Sequence, residues 1–357
     1  MDLEKILKVA VRGGASDVIL KTGAMPRFRF NGELVTLADG QAITAQIMQN
    51  WIEKVLPQHL HKRLTTAGDA DFAYQSQGGN RFRVNLFRQR QSYGMVLRVI
   101  TTAIRTIEEL QLPPILRRLA EERRGLILVT GATGSGKSTT LAALLQKINL
   151  ERAAHIITIE DPIEFNFKDE KATVNQREIG IDSESFSSAL RAALRQNPDI
   201  IFVGELRDRE TTETALSAAE TGHLVLSTLH TSDAVESLTR LLSYFEPHKH
   251  ANVRQMLAQS LRAVLSQRLV TRRDGKGLVA ALEVMMVNAT VREAILKSDH
   301  FTSLYNVIAS GGDQYGMQSF DQALLELYHQ GIISRDVALS QATHRADLEL
   351  KIRGVGA

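Results

Sequence analysis

The sequence predicts an α/β protein with a parallel-sheet core in its second half and a smaller α+β domain before it. Three observations carry that expectation. From Gly125 onward, short and uniformly apolar runs alternate with helical segments, which suits strands covered on both faces of a parallel sheet. Over the first hundred or so residues, alternating segments are separated by turn residues and joined by two helical stretches. At 357 residues the chain is also too long for one ordinary core.

The elements follow in order. Leu3, Ile6, Leu7, Ala10 and Val11 recur at helical spacing, and Gly13-Gly14 stops the pattern. Residues 16–21 alternate like a strand. Residues 27–37 contain Asn31-Gly32, a dipeptide suited to a two-residue hairpin turn. Residues 44–64 read as helix, and 69–75, 81–88 and 94–100 as three strands. Residues 1–100 therefore form the first domain, and 101–114, with two prolines and no strand periodicity, form a linker. Residues 115–357 form the second domain. It opens with a helix at 115–122 and continues through the strand runs GLILVT (125–130), HIITI (155–159), DIIFVG (199–204) and HLVLST (223–228). Beyond Ala251 the pattern is mostly helical, with strand candidates at 268–270 and 279–287 and an amphipathic helix over 320–331 that ends at a glycine.

Composition removes several kinds of chemistry. There is no cysteine, hence no disulfide, thiolate nucleophile, iron–sulfur cluster or cysteine-ligated zinc. No apolar stretch approaches the ~20 residues that span a bilayer, and the N-terminus lacks a signal-like apolar block, so a cytosolic chain is expected. The 43 basic side chains are interspersed with 40 acidic ones, for a net charge of only +3, and aromatics are sparse. A dedicated nucleic-acid binder shows a more clustered basic excess and stacking platforms.

The segment Gly131-Ala132-Thr133-Gly134-Ser135-Gly136-Lys137-Ser138-Thr139 matches G-x-x-x-x-G-K-[ST] between an apolar run and a helical one. By chance the bare pattern arises in roughly one chain per hundred of this length, so the flanking strand and helix are what make it specific. Its glycines let backbone N–H groups turn toward phosphate oxygens at a helix N-terminus. Lys137 reaches the β and γ phosphates of a nucleotide such as ATP, and Ser138 holds Mg2+.

Hydrolysis of a triphosphate also needs a carboxylate to place magnesium or orient water. Two acidic clusters stand at the carboxyl ends of strand runs, where ligands bind in open parallel sheets. One is ITIEDPIEF, with Glu160, Asp161 and Glu164, of which Glu160 and Asp161 could instead brace the turn at Pro162. The other is IIFVGELRD, with Glu205 and Asp208. Positive charge opposite the phosphates could come from Arg81, Arg83 and Arg98, the first two on one face of a strand. Arg207, Arg209 and Arg240 compete for that role. His223 and His230 bracket one apolar run, and residues seven apart in a strand are ~20 Å apart at ~3.3 Å per residue. They therefore serve two places rather than one ion. His230, at the carboxyl end, is the better phosphate neighbour.

Together GATGSGKST, ITIEDPIEF, VGELRD and TGHLVLSTLHT stand in the order of the Walker A, Asp, Walker B and His boxes of the type II/IV secretion ATPases. The chain resembles that family over nearly its whole length, through GGASDVIL, NRFRVNLF, VNQREIG and GMQSFDQAL as well, and is most similar to the branch that retracts type IV pili. Where that branch carries an AIRNLI-like segment, this sequence reads TVREAI over 290–295 and keeps Arg292 and Ile295. The resemblance implies a PAS-like N-terminal domain, a RecA-like P-loop ATPase core and a homohexameric ring that uses ATP and Mg2+. It assigns Glu164 as general base, Glu205 as the Walker B acid that helps place magnesium, and His223 and His230 as a pair coupling nucleotide to an interface. Arginines of an N-terminal domain complete the site. The implied partner is an inner-membrane pilus platform protein, with the ring peripheral at the cytoplasmic face of that membrane and no nucleic acid involved.

Overall fold

The computed structural model describes residues 1–30, 33–36, 41–100, 103–297 and 301–354. The chain divides into two compact units, Met1–Ala103 with Glu164–Asn166, and Ile104–Ile163 with Phe167–Ala357.

The first unit is a six-stranded sheet with helices on one side. Its strands are β1 (Asp17–Lys21), β2 (Arg27–Phe30), β3 (Glu33–Thr36), β4 (Asp69–Gln75), β5 (Arg81–Gln89) and β6 (Ser92–Ile100). They lie in the order β3-β2-β1-β6-β5-β4, and every pair is antiparallel. The opening helix, Leu3–Gly13, is capped by the Asp2 carboxylate, which accepts from the Glu4 N–H, and ends at Gly14 with φ 73°. It buries Leu3, Ile6, Leu7 and Ala10 against Val18, Phe82, Leu86 and Leu97. The helix expected over 44–64 is broken. Ala45–Val55 stops before Pro57, which has no N–H to donate, and helical structure resumes at Gln58–Leu60 and His61–Ala67. The Asn31-Gly32 turn lies outside the described residues.

In β5, Phe82, Val84 and Leu86 face the core, so Arg81 and Arg83 share the opposite face, as alternation requires. Arg83 is registered across from Arg98 of β6, which in turn faces Asp17 of β1. Arg98 Nε donates to Asp17 Oδ1 over 3.0 Å, and Arg29 Nε lies 3.7 Å from the other carboxylate oxygen. One almost buried acid thus offsets two arginines on a basic sheet face.

The second unit is a seven-stranded sheet of β7 (Gly125–Thr130), β8 (His155–Glu160), β9 (Thr173–Glu178), β10 (Ile200–Val203), β11 (Leu224–Leu229), β12 (Leu261–Thr271) and β13 (Leu278–Met286). The order is β13-β12-β7-β11-β10-β8-β9, parallel throughout except for β13, which returns antiparallel along β12. Every residue of β7, β10 and β11 is buried, as the apolar runs required. Helices Ile115–Glu121 and Lys137–Glu151 cover one face; Phe186–Ala193, Arg209–Glu220, Ala234–Ser243 and His250–Ser260 cover the other. Ile107 and Leu112, from the stretch read as a linker, are buried in this core.

Two features differ from expectation. β12 begins at Leu261, although 261–267 reads as a continuation of the preceding helix. β9, sequence TVNQRE, is a polar strand at the sheet edge, where one side needs no partner and the apolar signal is weak. Among the described residues no helix is long and apolar enough to cross a membrane.

Candidate active site

Thr130 ends β7, and the loop over 131–136 leads straight into the helix Lys137–Glu151. Gly131 (φ 144°) and Gly136 (φ 86°) are sterically required there. A Cβ on the first would sit 2.4 Å from the Gln267 carbonyl oxygen, and one on the second 2.7 Å from Gln267 Nε2. Lys137 is almost buried, and its ammonium donates to the carbonyls of Gly131 (2.7 Å) and Ala132 (2.9 Å), which fixes its charge over the loop. Ser135 Oγ is buried and makes no hydrogen bond, a donor-acceptor group with unused capacity inside the loop. Ser138 and Thr139, in the first helical turn, are partly exposed.

Glu205 is carried by a short, rigid lead. β10 ends at Val203, and Gly204 is pinned on both sides: its N–H donates to Ile159 O of β8, and its carbonyl accepts from Thr228 Oγ1 of β11. Leu206 N donates to Thr228 O. Glu205 is thereby held at the carboxyl end of the sheet. Its Oε2 accepts from Arg207 Nε at 2.7 Å and lies 3.4 Å from His230 Nε2. The hydrogen bond to Glu205 raises the Arg207 pKa above its ordinary value, against the opposing effect of burial. Arg207 also lies 3.6 Å from Asp161 and stands over the Phe186 ring.

His230 follows β11 directly. Its Nδ1 lies 3.5 Å from Thr133 Oγ1 in the loop, while Nε2 faces Glu205. One imidazole therefore touches the loop with one nitrogen and the acid with the other. His223, at the amino end of the same strand, meets the end of the helix Arg209–Glu220, where Nδ1 is 3.0 Å from Ala218 O. The two histidines do serve two places, and only His230 is at the loop.

The other candidates separate in the same way. Glu160 is buried at the end of β8, accepting from Thr158 Oγ1 (2.6 Å) and Gln176 Nε2 (3.1 Å). Asp208 caps the helix Arg209–Glu220 by accepting from Thr211 N. Arg209 pairs with Glu246 and Arg240 packs over Tyr244. Glu164, exposed, belongs with Arg81, Arg83 and Arg98 to the first unit. The second unit alone thus assembles Lys137, Thr133, Glu205 and His230.

Beside the loop is a cavity of about 580 Å3, lined in part by Gly136, Thr139, Leu112, Leu269 and Val279, with Arg272 donating to Gln111 Oε1 at its rim. A glycine-rich loop at a helix start, opening on one side to a half-apolar hollow, is an arrangement that suits a nucleotide.

The family model for the type II/IV secretion system protein matches residues 1–290. The chain belongs to that family. Among its relatives, the Pseudomonas aeruginosa type IV pilus retraction ATPase PilT is 42% identical over 96% of this chain and 98% of its own length. The P. aeruginosa type IV pilus ATPase PilU is 40% identical over 99% and 92%. A crystal structure of the pilus retraction motor PilT with bound ADP superposes with a TM-score of 0.90 at 41% identity, covering 98% of this chain and 99% of that one. Membership of the family makes the α/β core with its N-terminal domain a secretion-ATPase fold. Sequence reasoning overlooked one residue that contacts the loop before Lys137. Gln267 of β12 donates to Ser135 O and accepts from Thr140 Oγ1, so it contacts the loop from behind. Only its place in a strand beside β7 brings it there, and that strand begins seven residues before the expected one.

Proposed function

We propose that this protein is an ATPase motor, working as a homohexameric ring at the cytoplasmic face of the inner membrane, that powers type IV pilus retraction by pulling on a platform protein. The observation that carries the reading is the convergence of Lys137, Glu205 and His230 on one loop, in a chain so similar to PilT over its full length.

In this reading the loop 131–136 and Lys137 bind the triphosphate and the cavity beside it takes the nucleoside. The residues fit a magnesium ion: Ser138 offers a hydroxyl at the helix start and Glu205 a carboxylate held at the carboxyl end of the sheet. When bound, Mg2+ neutralises charge on the phosphates. Ser135, Gly134 and Thr139 line the phosphate path. His230 senses the change at Glu205 and passes it to the loop through Thr133, and His223 carries the far end of β11 toward an interface. Glu164 is the general base. Arg81, Arg83 and Arg98 supply cations opposite the phosphates, on a face where Asp17 holds Arg98 in a fixed orientation.

Two measurements test this. Purified full-length protein should hydrolyse ATP with Mg2+, and Glu164→Gln should lose turnover while ATP affinity stays within a few-fold; full turnover in that variant removes Glu164 from the chemistry. Cells lacking the gene should be over-piliated and unable to twitch. Bald cells would instead indicate an assembly motor. An accessory retraction motor of the PilU kind is the second reading, favoured by the 40% identity to PilU over 99% of the chain. It predicts that this protein restores twitching only when another retraction ATPase is present.

A further inference from the structure

We infer that Gln267 is a positioning residue for the nucleotide loop, acting through the backbone of Ser135 and the hydroxyl of Thr140 rather than by touching substrate. The inference rests on the ATPase reading above and adds a residue to it.

Gln267 is 3% exposed on β12, the strand hydrogen-bonded to β7. Its amide makes two short bonds with opposite polarity. Nε2 donates to Ser135 O over 2.7 Å, and Oε1 accepts from Thr140 Oγ1, also over 2.7 Å. The first partner is in the loop and the second is in the first turn of the following helix. One planar group thus fixes the loop relative to the helix N-terminus, the two parts that together form a phosphate cradle. The carboxamide suits this task because it carries a donor and an acceptor on one rigid plane.

The same residue explains the glycines from the other side. The backbone carbonyl of Gln267 is what a Cβ at Gly131 would strike, and its side-chain nitrogen is what a Cβ at Gly136 would strike. The loop is therefore shaped against β12 as much as around a ligand. Ser135, whose carbonyl Gln267 holds, also carries the buried hydroxyl without a hydrogen bond. Holding the backbone at Ser135 fixes where that hydroxyl points.

The experiment compares wild type, Lys137→Ala, Gln267→Met and Gln267→Met/Thr140→Val in the full chain, by steady-state Mg-ATP hydrolysis, ADP titration and thermal unfolding. Met keeps the length of Gln and removes both bonds; Val removes the hydroxyl that Met leaves buried and unpaired. Gln267→Met should raise KM for ATP and weaken ADP at least about 10-fold, with kcat within about 3-fold, as expected when binding common to ground and transition states is lost. Adding Thr140→Val should recover part of the lost melting temperature, the part due to the unpaired hydroxyl, but not KM, because Ser135 O is still unheld. Recovery of KM together with the melting temperature would reduce Gln267 to a packing role and overturn the inference. So would an unchanged KM, or a loss confined to kcat. Wild type that neither binds ADP nor hydrolyses ATP would instead defeat the ATPase reading, and wild type and Lys137→Ala distinguish that failure from failure at Gln267.

Discussion

Two neighbouring strands of the second unit, β8 and β10, each lead to a glutamate at their carboxyl ends, and the two side chains have opposite fates. Glu160 closes β8 inside the protein, with Thr158 and Gln176 donating to one oxygen. Glu205, past the end of β10, is carried one glycine further out and meets Arg207 and His230 at the loop. Both stand at the carboxyl ends of parallel strands, the end of an open sheet at which ligands bind. Position on the sheet therefore nominates a residue, and the surroundings separate the two: Glu160 is closed in beside hydroxyl and amide donors, while Glu205, partly exposed, faces the Arg207 guanidinium and the His230 imidazole.

The comparison breaks most readily at Glu205. Glu205→Gln should lower kcat by about 100- to 1000-fold, the cost of removing one preorganised electrostatic group, with ADP affinity nearly kept. Turnover close to wild type would mean that Glu205 is as structural as Glu160.

Another acid, buried as Glu160 is, sharpens the contrast through pH. Glu283 of β13 accepts from Ala234 N and from Ser266 Oγ, and burial, aided by the Asp233 charge, raises its pKa from 4.5 to about 7 against the lowering effects of those bonds and of Arg268. Between those values the native state keeps a proton that the unfolded chain has released. Native stability from this site is thus full below about pH 4.5 and falls as pH rises toward 7, by up to about 3 kcal/mol. Chemical denaturation at pH 5 and pH 8 should show the decline in wild type and a flatter profile in Glu283→Gln.

Glu160→Gln should act on stability alone. Replacing an acceptor oxygen by an amide beside Thr158 costs about 1–3 kcal/mol in a urea titration, while kcat stays within about 3-fold. Loss of turnover without loss of stability would erase the distinction between the two strand ends. The smallest effect belongs to the half-exposed Arg207–Glu205 pair, for which a double-mutant cycle on stability should give a coupling of about 0.2–1 kcal/mol.

Much of this was legible in the sequence, for identifiable reasons. The strands β7, β8, β10 and β11 are covered on both faces, so they appear as unbroken apolar runs. The loop before Lys137 is read from its spacing, and the separation of His223 from His230 from strand rise alone. What was not legible depends on context. Leu261–Leu265 follows a helix and is apolar except for Arg262, which fits helix or strand equally until pairing with β7 decides. TVNQRE carries no apolar signal because it is an edge. Among acids at strand ends, local sequence does not distinguish Glu160 from Glu205, because each also has one partner distant in the chain, Gln176 of β9 for the first and His230 after β11 for the second. Gln267 is the extreme case, since both of its partners are more than 120 residues away in the chain.

Adjacent residues of a strand face opposite sides, and on β12 this has a mechanical outcome. Gln267 grips the nucleotide loop, whereas Arg268 stacks its guanidinium 3.9 Å from the Phe320 ring and donates to Gln341 O among the last helices. A single extended rod is thereby clamped to the phosphate cradle on one flank and to the tail of the chain on the other. Sliding either attachment along the strand means breaking its clamp, so a force applied to the tail helices is delivered one residue from the grip on the loop.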